Sequence, residues 1–244
     1  MSNEDIILKI ENATKRFAGL TANDNISFDV KKNSIVGVVG PNGAGKTTLF
    51  NSISGAHTLT SGRIIFQGKD ITKLKANQIC RLGIGRTFQV PQSLDNLTVL
   101  ENATVAALSR HSDILAAQKY AKRSIEFCGL KNESDAMAGS LNVIRKKRLE
   151  IARALATEPV LLLLDETMAG LTNTERLEAV ELIRDINKEG ITILTIEHVM
   201  DVVMTVSEKV VVISSGKLLT EGTPDEVSNN SKVIEAYLGG KSHA

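Results

Sequence analysis

The chain has 244 residues, 42% of them hydrophobic and 23% charged, which is enough apolar side chain for a sizeable core and too little charge for a disordered polyelectrolyte. Lys and Arg number 29 against 28 Asp and Glu, a formal charge of +1, which argues against a dedicated nucleic-acid binder and leaves room for a local patch. Trp is absent and aromatics make up only 3%, so an aromatic membrane-interface belt is excluded.

Residues 1–5 are polar and acidic and lack the apolar stretch of a secretion signal. Residues 6–10 read as a strand, and residues 35–39 as a strand without alternation, the habit of a strand covered on both faces. A helix is expected over 46–54, and a further strand over 84–88. From about Thr98 to Leu130 strand signals vanish, and Leu97, Val99, Leu100, Ala103, Val105, Ala106 and Leu108 suggest helix. Residues 92–142 are therefore read as a helical subdomain inserted into a core made of 1–91 and 143–244, with Pro91 and Gly139 near its edges. Helix follows over 149–156, strand over 160–164, helix over 175–188, and strands over 191–196 and 210–213. Residues 222–240 read as polar turns and short helices. Strands alternating with amphipathic helices are the α/β pattern. Cys80 and Cys128 have neither metal-ligand spacing nor a disulfide framework and read as small buried or half-buried thiols of a reducing compartment. The longest apolar run, 160–164, falls far short of the roughly 18 residues of a spanning helix, so any membrane role needs a partner chain.

The strongest chemical signal is Gly40-Pro41-Asn42-Gly43-Ala44-Gly45-Lys46-Thr47-Thr48, a P-loop between a buried strand and a helix. Glycines let backbone N–H groups of Asn42, Gly43, Ala44 and Gly45 curl toward phosphate, and the helix N-terminus adds its positive end. Lys46 is placed to reach the β- and γ-phosphates, and Thr47 to offer a hydroxyl to Mg²⁺. Downstream, the strand 160–164 ends in Asp165-Glu166. In P-loop ATPases the first carboxylate holds Mg²⁺, usually through water, and the second is placed to polarise the attacking water. No Asn-Lys-x-Asp stretch of the guanine-reading type occurs.

Gln89 after a strand, His198 in Ile196-Glu197-His198, Phe17 upstream of the P-loop, and Leu149-Glu150-Ile151-Ala152-Arg153-Ala154-Leu155 complete a pattern. With these residues, the chain resembles the nucleotide-binding subunit of ATP-binding cassette transporters over about residues 5–240. The resemblance implies a P-loop NTPase core, a parallel sheet flanked by helices with an antiparallel β subdomain, plus an inserted helical subdomain. Gly85-Arg86-Thr87-Phe88-Gln89, Leu97 to Asn102, Asp165 to Leu171, Ile196 to Met200 and Val233 to Gly239 are similar to the branched-chain amino acid importer branch. By resemblance, Phe17 stacks on adenine, and Gln89 touches Mg²⁺ or the lytic water. His198 contacts the γ-phosphate and holds that water with Glu166. Ala169-Gly170-Leu171-Thr172 crosses to a second subunit. His57, His111 and His243 have no such context and read as solvated.

One motif departs from the family. Where it carries Leu-Ser-Gly-Gly-Gln, this chain reads Leu141-Asn142-Val143-Ile144-Arg145. The resemblance implies that this signature closes on ATP held by the opposite subunit's P-loop. Asn142 can still cap a helix and donate a hydrogen bond, whereas Val143 and Ile144 put branched side chains where backbone should approach phosphate. Arg145 either compensates with charge or begins the solvated basic run 145–148. Thr167 replaces the family's usual Pro, a milder change.

The resulting expectation is a cytoplasmic, peripheral ATPase subunit on the inner face of the membrane. It binds ATP and Mg²⁺ and energises an importer, most simply for branched-chain amino acids. Its expected partners are transmembrane permease subunits, a second cassette ATPase (a heterodimer before a homodimer) and, indirectly, a substrate-binding protein, with no nucleic acid. The rival readings are a catalytically impaired regulatory half of a heterodimer and a lipid or polysaccharide exporter ATPase.

Overall fold

A computed structural model describes residues 5–197 and 200–238. Along the chain run β1 (Ile6–Phe17), β2 (Leu20–Lys31), β3 (Ile35–Val39), α1 (Lys46–Ile53), β4 (Ser61–Phe66), β5 (Lys69–Asp70), α2 (Ala76–Leu82) and β6 (Ile84–Arg86). There follow α3 (Val99–Ala107), α4 (Ile114–Phe127), α5 (Val143–Ala156), β7 (Leu161–Asp165), α6 (Asn173–Lys188), β8 (Thr192–Ile196), α7 (Met200–Val206), β9 (Lys209–Ser214), β10 (Lys217–Gly222), α8 (Pro224–Ser228) and α9 (Ser231–Leu238). The chain is mixed α/β.

Two compact units emerge. One comprises the residues up to Ala76 together with those from Met168 onward, and the other Asn77–Thr167. In the first, β2-β1-β4-β5 form an antiparallel sheet, and β3 lies parallel to both β8 and β9, with β10 antiparallel to β9. In the second, β6 and β7 pair in parallel and α3, α4 and α5 pack on one another.

Burial explains which strands were readable. All five positions of β3, of β7 and of β8 are buried, which is why runs of aliphatic residues announce β3 and β7, and Ile and Leu between two buried Thr announce β8. Truncating Leu163, wholly buried in β7, is expected to lower unfolding free energy by about 2–5 kcal/mol, read from a urea melt of Leu163→Ala. β1 extends to Phe17, well past residue 10, because its pairing with β2 continues to Phe17 opposite Leu20 through register shifts that leave the successive residues Ala13 and Thr14 both buried. The strand expected to reach residue 88 stops at Arg86. β2, β4, β5 and β10 had no counterpart in the sequence reading.

Helix starts follow side-chain caps. Thr98 and Glu101 form a capping box on α3, Thr172 and Glu175 on α6, and Thr223 and Glu226 on α8. α5 begins at Val143, six residues before the expected 149, because the Asn142 side chain accepts from the Arg145 N–H at 2.9 Å and fixes the first turn there. Cys128 is buried and Cys80 partly so. Burial pushes the Cys128 thiol up to about 12, which keeps it a protonated packing residue. Among the described residues, no helix is long and apolar enough to cross a membrane.

Candidate nucleotide site

The P-loop is anchored by backbone contact from two neighbouring strands, β9 and β2. A Cβ on Gly40 would lie 2.0 Å from the Ile213 carbonyl oxygen, and one on Gly45 2.2 Å from that of Ala22. Gly45 also sits at φ 98, the left-handed region that disfavours any side chain. The Asn23 amide donates to the Gly45 carbonyl at 3.0 Å, and the Gly216 N–H to the Ala44 carbonyl at 3.1 Å. Lys46, only 5% exposed, folds back so that its Nζ donates to the carbonyls of Gly40 (2.7 Å) and Pro41 (3.0 Å). Asn42 and Gly43 are exposed at the tip, and Thr47 and Thr48 lie half-buried in the first turn of α1, which carries no acidic residue. One ammonium, two hydroxyls, exposed glycine backbone and an uncapped helix N-terminus make a donor set suited to a polyphosphate and its Mg²⁺.

Phe17, at the end of β1, is 39% exposed. Lys15 Nζ lies 4.8 Å from its ring centroid, and His57 meets the ring edge-on at 5.4 Å. His57 is thus half-buried and partnered rather than solvated. His111 is likewise not solvated, being stacked on Tyr120 at 4.1 Å and placed 2.5 Å from Glu158. His198 and His243 lie outside the described residues.

The acidic residues sit in the second unit. Asp165, the last residue of β7, is 1% exposed and pairs with the Arg86 guanidinium at 3.0 Å. Its N–H donates to Thr87 Oγ1 at 3.1 Å, and the Thr87 N–H continues the ladder to the Leu163 carbonyl at 2.9 Å. Glu166, 6% exposed, holds φ 51, a left-handed backbone that costs a residue with a Cβ about 1–3 kcal/mol. Its Oε2 accepts from Gln89 Nε2 at 2.6 Å. The structure therefore brings together Gln89 and Glu166, which sequence analysis singled out, and adds Arg86 against Asp165, which it did not. Arg86 stood in a quoted stretch, yet nothing local to it names a partner 79 residues away.

At the signature position, Asn142 and Val143 are exposed, Val143 to 66%. The Arg145 side chain turns back into its own unit, donating to the Gly129 carbonyl at 2.8 Å and pairing with Glu133 at 3.2 Å. Lys146 pairs with Asp95 at 3.3 Å. Arg145 is thus a helix-start residue tied to the neighbouring turn. Met168 N–H donates to Glu197 Oε1 at 3.0 Å, which fixes the start of the loop that leads into α6.

Comparison with known proteins decides the family. Residues 23–169 match the family described as ABC transporter. A probable branched-chain amino acid transport ATP-binding protein, LivG, from Archaeoglobus fulgidus is 37% identical over 96% of this chain and 95% of its own. The chain belongs to the ATP-binding cassette (ABC) transporter family. Residues 217–243 also match the family described as branched-chain amino acid ATP-binding cassette transporter. BraF of Pseudomonas aeruginosa, a high-affinity branched-chain amino acid transport ATP-binding protein, is 38% identical over 96% of this chain and 98% of its own. The crystal structure of the ADP conformation of MJ1267, an ATP-binding cassette of an ABC transporter, superposes with a TM-score of 0.87 at 33% identity, covering 96% of this chain and 99% of that one. As an ABC cassette the chain binds nucleotide and couples ATP hydrolysis to transport, working with membrane permease partners.

Proposed function

We propose that this chain energises an importer of branched-chain or related amino acids from the cytoplasmic face of the membrane. The observation that carries this reading is its 37–38% identity, over nearly its whole length, to ATP-binding proteins of branched-chain amino acid transport. Lys46, the 42–45 backbone and Thr48 bind the triphosphate, and Phe17 offers its ring to the adenine. Thr47, Asp165 and Gln89 are the residues that would hold Mg²⁺, which supplies charge neutralisation at the phosphates when bound. Arg86 keeps the Asp165 carboxylate oriented. Glu166 polarises the attacking water and Gln89 positions Glu166, while His198 completes the set. Charge developing on the γ-phosphate is met by Lys46 and the α1 N-terminus. Co-purification with permease subunits, and uptake of radiolabelled leucine that fails when this chain is deleted, test the assignment. Intact leucine uptake in the deletion strain overturns it.

The altered signature adds an asymmetry. The Asn142 side-chain oxygen is engaged by its own helix, which leaves only the amide N–H to offer, and Val143 presents a branched surface. In a heterodimer this chain's ATP meets the partner's signature, while the partner's ATP meets Asn142-Val143-Ile144. One site is then competent and the other impaired, and a homodimer hydrolyses weakly. Changing Asn142→Ser, Val143→Gly and Ile144→Gly together is expected to raise turnover of the chain alone by about tenfold or more, the scale of losing or regaining one transition-state donor set. Equal, robust turnover of the unmodified chain alone would refute the asymmetry. A nucleotide-trapped dimer without turnover would instead support a regulatory, non-hydrolysing role, which the same altered signature favours.

A further inference from the structure

Gln89 sits in a stretch, residues 88–92, that has left the sheet. The β6 ladder ends with Thr87, and the stretch carries the exposed side chains of Phe88 and Val90, so core packing does not fix its path. Pro91 within it has no N–H to donate. What holds this stretch is a pair of charged residues on α5. Glu150 is 4% exposed, and its Oε1 accepts from the Gln92 N–H at 3.1 Å. The same oxygen pairs with Arg153 Nη1 at 2.5 Å, and that nitrogen also donates to the Gln92 carbonyl. Both backbone groups of Gln92 are thereby tied to one helix. Gln89, three residues before this anchor, donates to Glu166 at 2.6 Å.

We propose that Glu150 and Arg153 are positioning residues that set the 88–92 stretch so that Gln89 engages Glu166. The inference rests on the ATPase reading of Glu166. A carboxylate nine-tenths or more buried is retained only where it is bonded, and here its bonds all go to Arg153 and to this stretch. Burial raises the Glu150 carboxyl, an effect opposed by Arg153 and by the Gln92 N–H, so these contacts are what offset the cost of burying it. The arrangement also gives α5 two ends with different duties. Its first turn carries the Asn142 cap at the divergent signature, and its later turns grip the Gln89 stretch, so a shift of this 14-residue helix displaces Gln89 directly.

The test uses Glu150→Gln, which preserves shape and removes the ion pair, and Arg153→Met, which keeps most of the side-chain stem and removes both donations. Hydrogen–deuterium exchange of the full chain is expected to show amides in 88–92 exchanging about tenfold faster in both variants, with the melting temperature changed by only a few degrees. In the assembled transporter, turnover falls by about tenfold while affinity for a fluorescent ATP analogue stays within about twofold. In a Gln89→Ala background neither variant lowers turnover further, which a purely structural role could not produce. Unchanged protection of 88–92, equal fractional losses in both backgrounds, or wild-type turnover in Gln89→Ala alone each overturns the proposal. Should Glu166→Gln retain turnover, the ATPase reading itself falls, and the exchange measurement still decides whether the pair holds the stretch.

Discussion

Replacing Glu166 by Gln is expected to lower ATP turnover of the assembled transporter by about 100-fold or more, the usual reach of a group that takes or polarises a proton in the transition state. ATP affinity is expected to stay within about twofold, because an amide of the same shape keeps uniform binding and loses only the transition-state interaction. The geometry makes this substitution diagnostic. Glu166 holds a left-handed backbone and accepts a 2.6 Å hydrogen bond from Gln89, so its carboxyl group is held in one direction at some conformational cost. A Gln in its place can still accept from Gln89 through its carbonyl oxygen, so the fold of the stretch is preserved and the chemistry is not. Single-turnover kinetics beside equilibrium binding of a fluorescent ATP analogue separate the two quantities. Loss of affinity in proportion to loss of turnover would show that Glu166 serves binding instead.

A methyl group at Gly45 is expected to weaken nucleotide binding severely. The added Cβ would lie 2.2 Å from the Ala22 carbonyl oxygen and 2.5 Å from the Asn23 amide nitrogen, on a backbone at φ 98. Left-handed backbone alone costs about 1–2 kcal/mol for a residue with a Cβ, and the collision adds to it, since Ala22 is backbone and cannot swing aside. Relief requires moving the loop off β2, which breaks the Asn23 bond to the Gly45 carbonyl and misdirects the N–H groups of the first turn of α1. Gly45→Ala should therefore weaken ATP affinity by about 100-fold or more, some 2.7 kcal/mol, and lower the melting temperature at the same time. Isothermal titration and a thermal melt read both. Wild-type affinity in the variant would mean that the loop tolerates displacement, and the anchoring argument would fail.

What sequence made visible and what it hid divide along a physical line. β3, β7 and β8 were legible because strands buried along their whole length are dominated by β-branched and aliphatic residues, with only Thr192, Thr195 and the terminal Asp165 as buried polar exceptions in β7 and β8. The P-loop was legible because its chemistry lies within nine consecutive residues. β2 was not read because Thr21, Asn23, Asp24 and Asn25 make its first half polar, although the alternation of Ile26, Phe28 and Val30 with Ser27 and Asp29 in its second half is a strand signal that the sequence does carry. The start of α5 was misplaced because residues 143–148 carry no 3.6-residue apolar period, and a cap sets the boundary. The acidic half of the site was only half legible. Asp165 and Glu166 stand at a strand end and announce themselves. Their partners Arg86 and Gln89 lie 79 and 77 residues earlier, and Glu150 meets Gln92 across 58, separations that no local pattern encodes. Arg145 had two open readings from its neighbours, and its contacts with Gly129 and Glu133 choose the structural one.

The folded-back Lys46 bears on how this protein lets go of what it binds. Its ammonium has three donors, and two are committed to the Gly40 and Pro41 carbonyls of its own loop. A phosphate oxygen arriving there competes with those carbonyls, so hydrogen bonds are exchanged and only the difference between them counts toward affinity. On departure the same exchange would run backward, with the carbonyls reclaiming the ammonium. On the proposed role of Lys46, the loop would thus be a built-in competitor for its own lysine, so that the same two carbonyls that weaken the grip would ease release.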